Sequence, residues 1–146
     1  MIHCEIQLDV ARPPAEVFAF VDDVSRAPQW LSRCAAIEQT SPPPKRVGST
    51  LHYTYREGTG SGTMDGTVTA YDKDRRLTMH FIDRTFEVEV GFRFEPAGAG
   101  TRIAHAVTIT PKTGMMKLMA PMIRGATRKQ IAQDAARLKQ LLEAAS

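Results

Sequence analysis

The ionisable side chain best placed for chemistry is His105, in a stretch whose residues alternate between apolar and polar or small. Ile103, Val107 and Ile109 fall on its side of the predicted strand, so the imidazole should point into the protein. An inward histidine could act as a general acid or base on a ligand carbonyl, because its ordinary pKa lies near neutral pH. The alternative is a partly buried histidine that is hydrogen-bonded to a backbone carbonyl or to a tyrosine. The sequence leaves both interpretations open.

Two tyrosines could orient a polar group of a ligand. Tyr53 and Tyr55 alternate with His52 and Thr54, which predicts that both rings lie on the inner face of a strand. Their hydroxyls could hold a polar ligand group while their rings line a cavity. Simple core packing, with the hydroxyls near the rim, is the alternative.

We expect no metal site and no cofactor. His3, His52 and His80 should point to solvent by strand alternation, and the sequence has no H-E-x-x-H or C-x-x-C motif. Cys34 has no catalytic partner in a recognisable motif, so we do not expect it to be a nucleophile. The glycine-rich stretch 57–62 is predicted to be a hairpin turn, because no helix follows it as in a phosphate-binding loop.

Length and composition predict one globular domain covering residues 1–146. Hydrophobic residues make up 42% of the chain and charged residues 24%, which is typical of a folded protein. No signal peptide and no apolar stretch of membrane-spanning length are recognisable, so we expect a soluble cytoplasmic protein. The net charge of +3 is weak support for any charged partner. We expect no nucleic-acid binding. A membrane surface or an acidic partner is an open alternative for the basic C-terminal third of the chain. The oligomeric state is left open.

The pattern along the chain predicts an α+β domain. Residues 2–10 alternate as a strand, Pro13 and Pro14 introduce a short helix, and Ser25 could cap a second one leading to Trp30. Strands separated by turns follow, including a loop at 96–100, and consecutive strands of this kind pair antiparallel.

Residues 115–144 predict a long helix that covers the sheet. Its apolar residues recur mostly every three or four positions, which marks one helical face. These residues are Met115, Leu118, Met119, Met122, Ala126, Ile131, Ala135, Leu138 and Leu142. Pro121 predicts either that the main helix begins near it or that the helix is kinked there.

Several short motifs, taken in order, resemble the START-like (SRPBCC) superfamily and its polyketide cyclase/dehydrase-like subgroup. Residues 10–18 (VARPPAEVF) resemble the opening of that family, and Trp30 matches its tryptophan after the second short helix. Residues 47–49 (VGS), 100–103 (GTRI) and 136–143 (ARLKQLLE) resemble later family segments. The resemblance implies a helix-grip fold, in which a curved antiparallel sheet of about seven strands surrounds a long C-terminal helix, with two short helices after strand 1.

The resemblance also implies an apolar cavity between sheet and helix. The first hypothesis is a protein that binds an apolar small molecule there, such as a lipid, isoprenoid, polyketide or aromatic compound. The expected lining residues are Trp30, Tyr53, Tyr55, Met79, Phe81, Val90, Phe92, His105, Met119, Met122 and Ile123. The second is a cyclase/dehydratase-type enzyme that uses His105 as acid or base. The third is an interaction protein whose core is filled by its own side chains.

Overall fold

The chain forms an antiparallel sheet with a long helix packed along its first strand. The structure is a computed structural model that describes residues 1–57 and 59–144. Its elements are β1 (Ile2–Val10), α1 (Pro14–Asp22), a 3-10 helix (Val24–Arg26), α2 (Ala27–Trp30), β2 (Cys34–Gln39), β3 (Thr50–Glu57), β4 (Gly60–Asp72), β5 (Arg76–Ile82), β6 (Phe86–Ala97), β7 (Gly100–Pro111), α3 (Gly114–Leu118) and α4 (Ala120–Ala144). Within the described residues, seven strands pair in the order β1-β7-β6-β5-β4-β3-β2. This arrangement confirms the predicted helix-grip fold.

Side chains on each strand alternate between an inner face, which meets the helices, and an outer face. On β1, Ile2 is fully buried whereas His3 is exposed. The register places His105 of β7 between Ile6 of β1 and Phe92 of β6, and directly opposed residues share one face of a sheet. His105 therefore points inward, as its alternation with apolar neighbours predicts.

The two short helices close one end of the inner face. Phe18 of α1 packs edge-to-face on Phe94 of β6, with ring centroids 5.4 Å apart, and on Tyr71 of β4 at 5.6 Å. The prediction that Ser25 caps the second helix is wrong. Asp23 caps the 3-10 helix instead, because its carboxylate accepts a hydrogen bond from the Ser25 backbone N–H at 3.1 Å.

Two hairpins are tighter than the glycine and proline content predicts. In the stretch 57–62 the second strand already begins at Gly60, and Gly58 lies outside the described residues. The expected loop at 96–100 is largely strand, because β6 continues to Ala97 and β7 begins at Gly100. The turn between them uses Gly98 at a φ of 61°, a conformation that glycine adopts without strain.

Two glycines on the inner face of β4 allow aromatic rings to lie against the strand. A Cβ atom on Gly66 would lie 2.5 Å from the Phe81 ring, and one on Gly62 would overlap the Tyr55 ring. Both rings occupy space that larger side chains on β4 would fill. These glycines therefore help to shape the inner surface of the sheet.

The C-terminal helix begins at Ala120, which confirms the first of the two geometries that Pro121 allows. Met119 separates α4 from the short α3, and Pro121 occupies the first turn of α4, where its missing N–H breaks no helical hydrogen bond. The Thr113 hydroxyl caps α3 by accepting from the Met116 backbone N–H at 3.2 Å.

The predicted apolar face of the C-terminal helix is correct only in its second half. Ile131, Ala135, Leu138 and Leu142 are buried. The first half points to solvent, since Met115, Leu118, Met119, Met122 and Ala126 are all exposed. Ile123 and Thr127 of α4 are turned inward instead.

Candidate functional site

The inner face of the sheet is sealed at one end and open at the other. On β6, Phe94 and Phe92 are 3% and 1% exposed, whereas Val90, further along the same face, is only half-buried. On β7 the same change occurs between His105, which is 3% exposed, and Val107, which is half-buried. Solvent therefore reaches apolar side chains that point toward the interior.

We call this accessible region the hollow. Its half-buried apolar walls are Tyr53, Tyr55, Phe86, Val88, Val90, Val107 and Ile109. The hollow exists because α4 packs chiefly against β1, at the edge of the sheet, whereas α1 meets β6 at the sealed end, where Phe18 packs on Phe94.

An aromatic group closes the inner end of the hollow. The His105 imidazole stacks on the Phe92 ring, with centroids 4.5 Å apart and an interplanar angle of 16°. Trp30, supplied by α2, meets both rings edge-on at 6.1 Å from His105 and 5.8 Å from Phe92. All three residues were expected to line the site, and the structure brings them into contact.

His105 carries an unusual buried nitrogen. Its Nε2 atom is inaccessible to solvent and has no hydrogen-bond partner among the described residues, so it has neither the backbone carbonyl nor the tyrosine partner considered from the sequence. Burial lowers the pKa of His105 to about 4, because the charged imidazolium would lose its hydration. The ring is therefore neutral at physiological pH and carries no fixed charge.

The two tyrosines stand together on β3. Their ring centroids are 6.0 Å apart, and Tyr53 also packs edge-to-face on Phe81 at 5.2 Å. The Tyr55 hydroxyl donates a long, 3.5 Å hydrogen bond to Asp83. Burial raises the pKa of Tyr53, and the nearby Cys34 and Asp134 act in the same direction. The Tyr53 phenol therefore remains protonated and can donate a hydrogen bond at the wall of the hollow.

Asp134 is a buried carboxylate that the sequence analysis did not identify. It is 2% exposed on α4 and accepts a hydrogen bond from the Ser32 backbone N–H at 3.1 Å. Burial raises its pKa, while the hydrogen bonds from Ser32 act in the opposite direction. Its position three residues after Ile131 and four before Leu138 places it on the buried helical face, and that spacing could have identified it.

Cys34 begins β2 and is fully buried near Tyr53. Burial raises the pKa of its thiol to about 11, so the nucleophilic thiolate is scarce at neutral pH.

The remaining predicted lining residues fall into two groups. Met79 and Phe81 are buried in the main core, and Ile123 of α4 packs against the smaller core formed by Ile2, Cys4 and Ile131. Met119 and Met122 are 37% and 68% exposed on the outside of the helical segment, so the structure does not bring them together with the others.

A separate depression of about 310 Å³ lies on the outer face of the sheet. Its floor contains Gly91, Ala104 and Ala106, and its walls carry charges of both signs, such as Arg93 and Glu89. This polar surface faces away from the aromatic group and from the hollow. Among the described residues, no three His, Cys, Asp or Glu side chains form a group that could hold a metal ion.

Comparisons with solved structures support the fold. A START superfamily protein from Mycobacterium smegmatis is 15% identical, with a TM-score of 0.82 over 99% of each chain. The ZhuI aromatase/cyclase from Streptomyces sp. R1128 is 13% identical, with a TM-score of 0.79 over 97% of this chain and 93% of that one. A third structure, TTHA0849 from Thermus thermophilus, is 15% identical with a TM-score of 0.81 over 99% of each chain.

A comparison with models of protein families assigns the chain to a family. No curated protein sequence matches the chain. A family model described as polyketide cyclase / dehydrase and lipid transport matches residues 1–143. This match shows that the chain belongs to the polyketide cyclase/dehydrase and lipid transport family.

Proposed function

We propose that the protein binds an apolar small molecule in the hollow and acts as a carrier or receptor for it. The observation that carries this proposal is the exposure of inward-facing apolar side chains, such as Val88, Val90 and Val107, beside a sealed core. Each Å² of apolar surface left in contact with water costs about 25 cal/mol, and a ligand that covers these walls recovers that free energy.

The wall chemistry indicates the kind of ligand. Most of the surface is aliphatic or aromatic, which suits rings or hydrocarbon chains. Tyr53 supplies a hydrogen-bond donor on one side, and its protonated phenol favours a ligand oxygen that accepts a hydrogen bond. A neutral apolar compound with one or two oxygen atoms fits these walls better than a charged one.

Native mass spectrometry of the purified protein, followed by solvent extraction, tests this proposal. The single tryptophan, Trp30, gives a second readout, because a ligand in the hollow should change its fluorescence. Val90→Phe fills the hollow and should weaken binding of the extracted compound, or of a hydrophobic dye, at least tenfold. Glu89→Leu, on the outer face of the same strand, is the matched control and should leave binding unchanged. Equal effects of the two substitutions would argue against the hollow as the binding site.

A second candidate function is a cyclase or dehydratase. The observation that favours it is the unpartnered Nε2 of His105, because a buried polar atom without a partner requires an explanation. The likeness to an aromatase/cyclase structure agrees with this alternative. In this alternative a bound polyketide must first reach the sealed Nε2 of His105. The neutral imidazole then accepts a proton from it while Tyr53 donates a hydrogen bond to its carbonyl.

The two candidates differ in what His105 controls. For an enzyme, His105→Gln should abolish conversion of the extracted compound, seen as loss of a product lighter by one water, while affinity changes little. For a carrier, no product forms with either protein, and His105→Gln changes only affinity. Tyr53→Phe separates the roles further, because it removes the hydroxyl and retains the ring.

A further inference from the structure

Four large apolar side chains are exposed where the chain passes from α3 to α4. Met115, Leu118, Met119 and Met122 are 68%, 86%, 37% and 68% exposed, respectively. We call these four residues the α3–α4 patch. Single exposed apolar residues are ordinary on protein surfaces, whereas a contiguous group of this kind marks an interaction site.

The patch is one surface and not four isolated side chains. Its residues follow the spacing i, i+3, i+4, i+7, which brings side chains together on a helical segment. The sheet cannot cover them, because Ile123, Thr127 and Ile131 already occupy the inward side of α4.

Along the chain, the charged residues next to the patch all have one sign. From residue 96 to residue 133 the sequence contains no Asp or Glu, and Asp134, the next acidic residue, is buried. Exposed cations flank and follow the patch at Lys117, Arg124, Arg128 and Lys129. In the part of the chain that the structure describes, none of these four forms an ion pair with a carboxylate. Their charge is therefore available to an external anionic partner.

We propose that the α3–α4 patch docks the protein on the surface of an anionic lipid bilayer. Exposed methionine and leucine side chains can enter the acyl boundary while neighbouring lysines and arginines contact lipid phosphates, the combination found in interfacial helices. A second copy of the chain is a poorer occupant, because a symmetric contact would bring like charges together. No helix among the described residues is long and apolar enough to cross a bilayer.

This docking goes beyond the proposed ligand binding and does not depend on it. The two features are nevertheless adjacent, because Ile123, the neighbour of Met122, packs against the core that Val107 and Ile109 border. Docking through the patch would place the open end of the hollow near the lipid.

Co-sedimentation with vesicles tests the proposal. The protein should bind vesicles of phosphatidylcholine containing 30% phosphatidylserine and should bind pure phosphatidylcholine at least tenfold more weakly. The double substitution Leu118→Ser/Met122→Ser should weaken binding to the anionic vesicles about tenfold or more. Val47→Ser is the matched control, because Val47 is 60% exposed outside the patch, and it should leave vesicle binding unchanged.

Charge variants give an independent test. Each of Lys117→Gln and Lys129→Gln should weaken binding about fivefold, as a basic residue at an anionic surface contributes on the order of 1 kcal/mol. Lys73→Gln, at an exposed cation in the β4–β5 turn, is the control. No binding to anionic vesicles, or equal effects of patch and control variants, would overturn the proposal. Loss of a dimer in the patch variants, measured by light scattering, would also overturn it and assign the surface to a second copy.

These substitutions lie on the surface and outside the walls of the hollow. The patch variants should therefore retain the Trp30 fluorescence response to a hydrophobic dye. Loss of vesicle binding with an intact dye response supports docking as a separate property. If the unsubstituted protein shows no fluorescence response to the dye, that result would count against the proposed function and not against docking.

Discussion

Replacing His105 with phenylalanine should make the protein less sensitive to acid. In the folded protein the pKa of His105 is about 4, against 6.5 for an exposed imidazole, because its burial excludes the water that would solvate the cation. As the pH falls from 7 to 5, the unfolded chain takes up a proton at this residue and the folded protein does not. The free energy of unfolding therefore falls by about 2 kcal/mol over this interval, and by about 3 kcal/mol once the pH is below 4. The full stability is present only above the unfolded pKa.

Urea denaturation at pH 7 and pH 5, followed by far-UV circular dichroism, measures this contribution. His105→Phe should show about 2 kcal/mol less loss of stability between the two pH values than the unsubstituted protein. At pH 7 it should also gain about 1 kcal/mol, since the substitution removes an unpartnered buried nitrogen and keeps a ring that can stack on Phe92. A packing penalty would lower stability equally at both pH values and cancels in the comparison. Identical pH dependence of the two proteins would show that His105 is not held neutral by burial.

Three further substitutions test the core. Leu138→Ala should lower the free energy of unfolding by about 2–5 kcal/mol, measured by urea denaturation, because Leu138 is 1% exposed. Asp134→Asn keeps an oxygen acceptor for the Ser32 N–H and removes a buried charge, so it should raise the free energy of unfolding at pH 7. The gain should shrink as the pH falls, because acid protonates the carboxylate of the unsubstituted protein. A gain that stays constant at all pH values would contradict this account. Gly66→Ala should lower the melting temperature and displace the Phe81 ring, a shift that aromatic NMR resonances would report, and an unchanged ring would contradict the predicted overlap.

The strands could be predicted because alternation is a local property. Ile2 and His3 lie on opposite faces of β1, and the same rule placed His105 inward although its environment could not be known. Hairpin boundaries were harder to predict. Gly60 and Pro96 are usually turn residues, and here strand pairing overrides that preference.

The surroundings of buried side chains could not be predicted from alternation along the chain. The missing partner of His105 depends on Trp30 and Phe92, which are far from it in sequence and reach it only through the fold. Asp134 has a local signal in its helical spacing, but a carboxylate on an apolar stripe is ordinarily assigned to the edge of that stripe. Its Ser32 partner is 102 residues away, and no sequence pattern connects them.

The hollow and the α3–α4 patch have one structural origin. Apolar periodicity shows that a helix has an apolar face, but it does not show what covers that face. The chain breaks helical continuity at Met119, and α4 then lies along β1 and not across the middle of the sheet. This placement leaves Val88 and Val90 on the inner walls only half-buried, and it leaves Leu118 and Met122 pointing to solvent. If α4 instead began earlier and crossed the sheet, the same apolar residues would fill the hollow, and neither a ligand site nor an exposed apolar surface would remain.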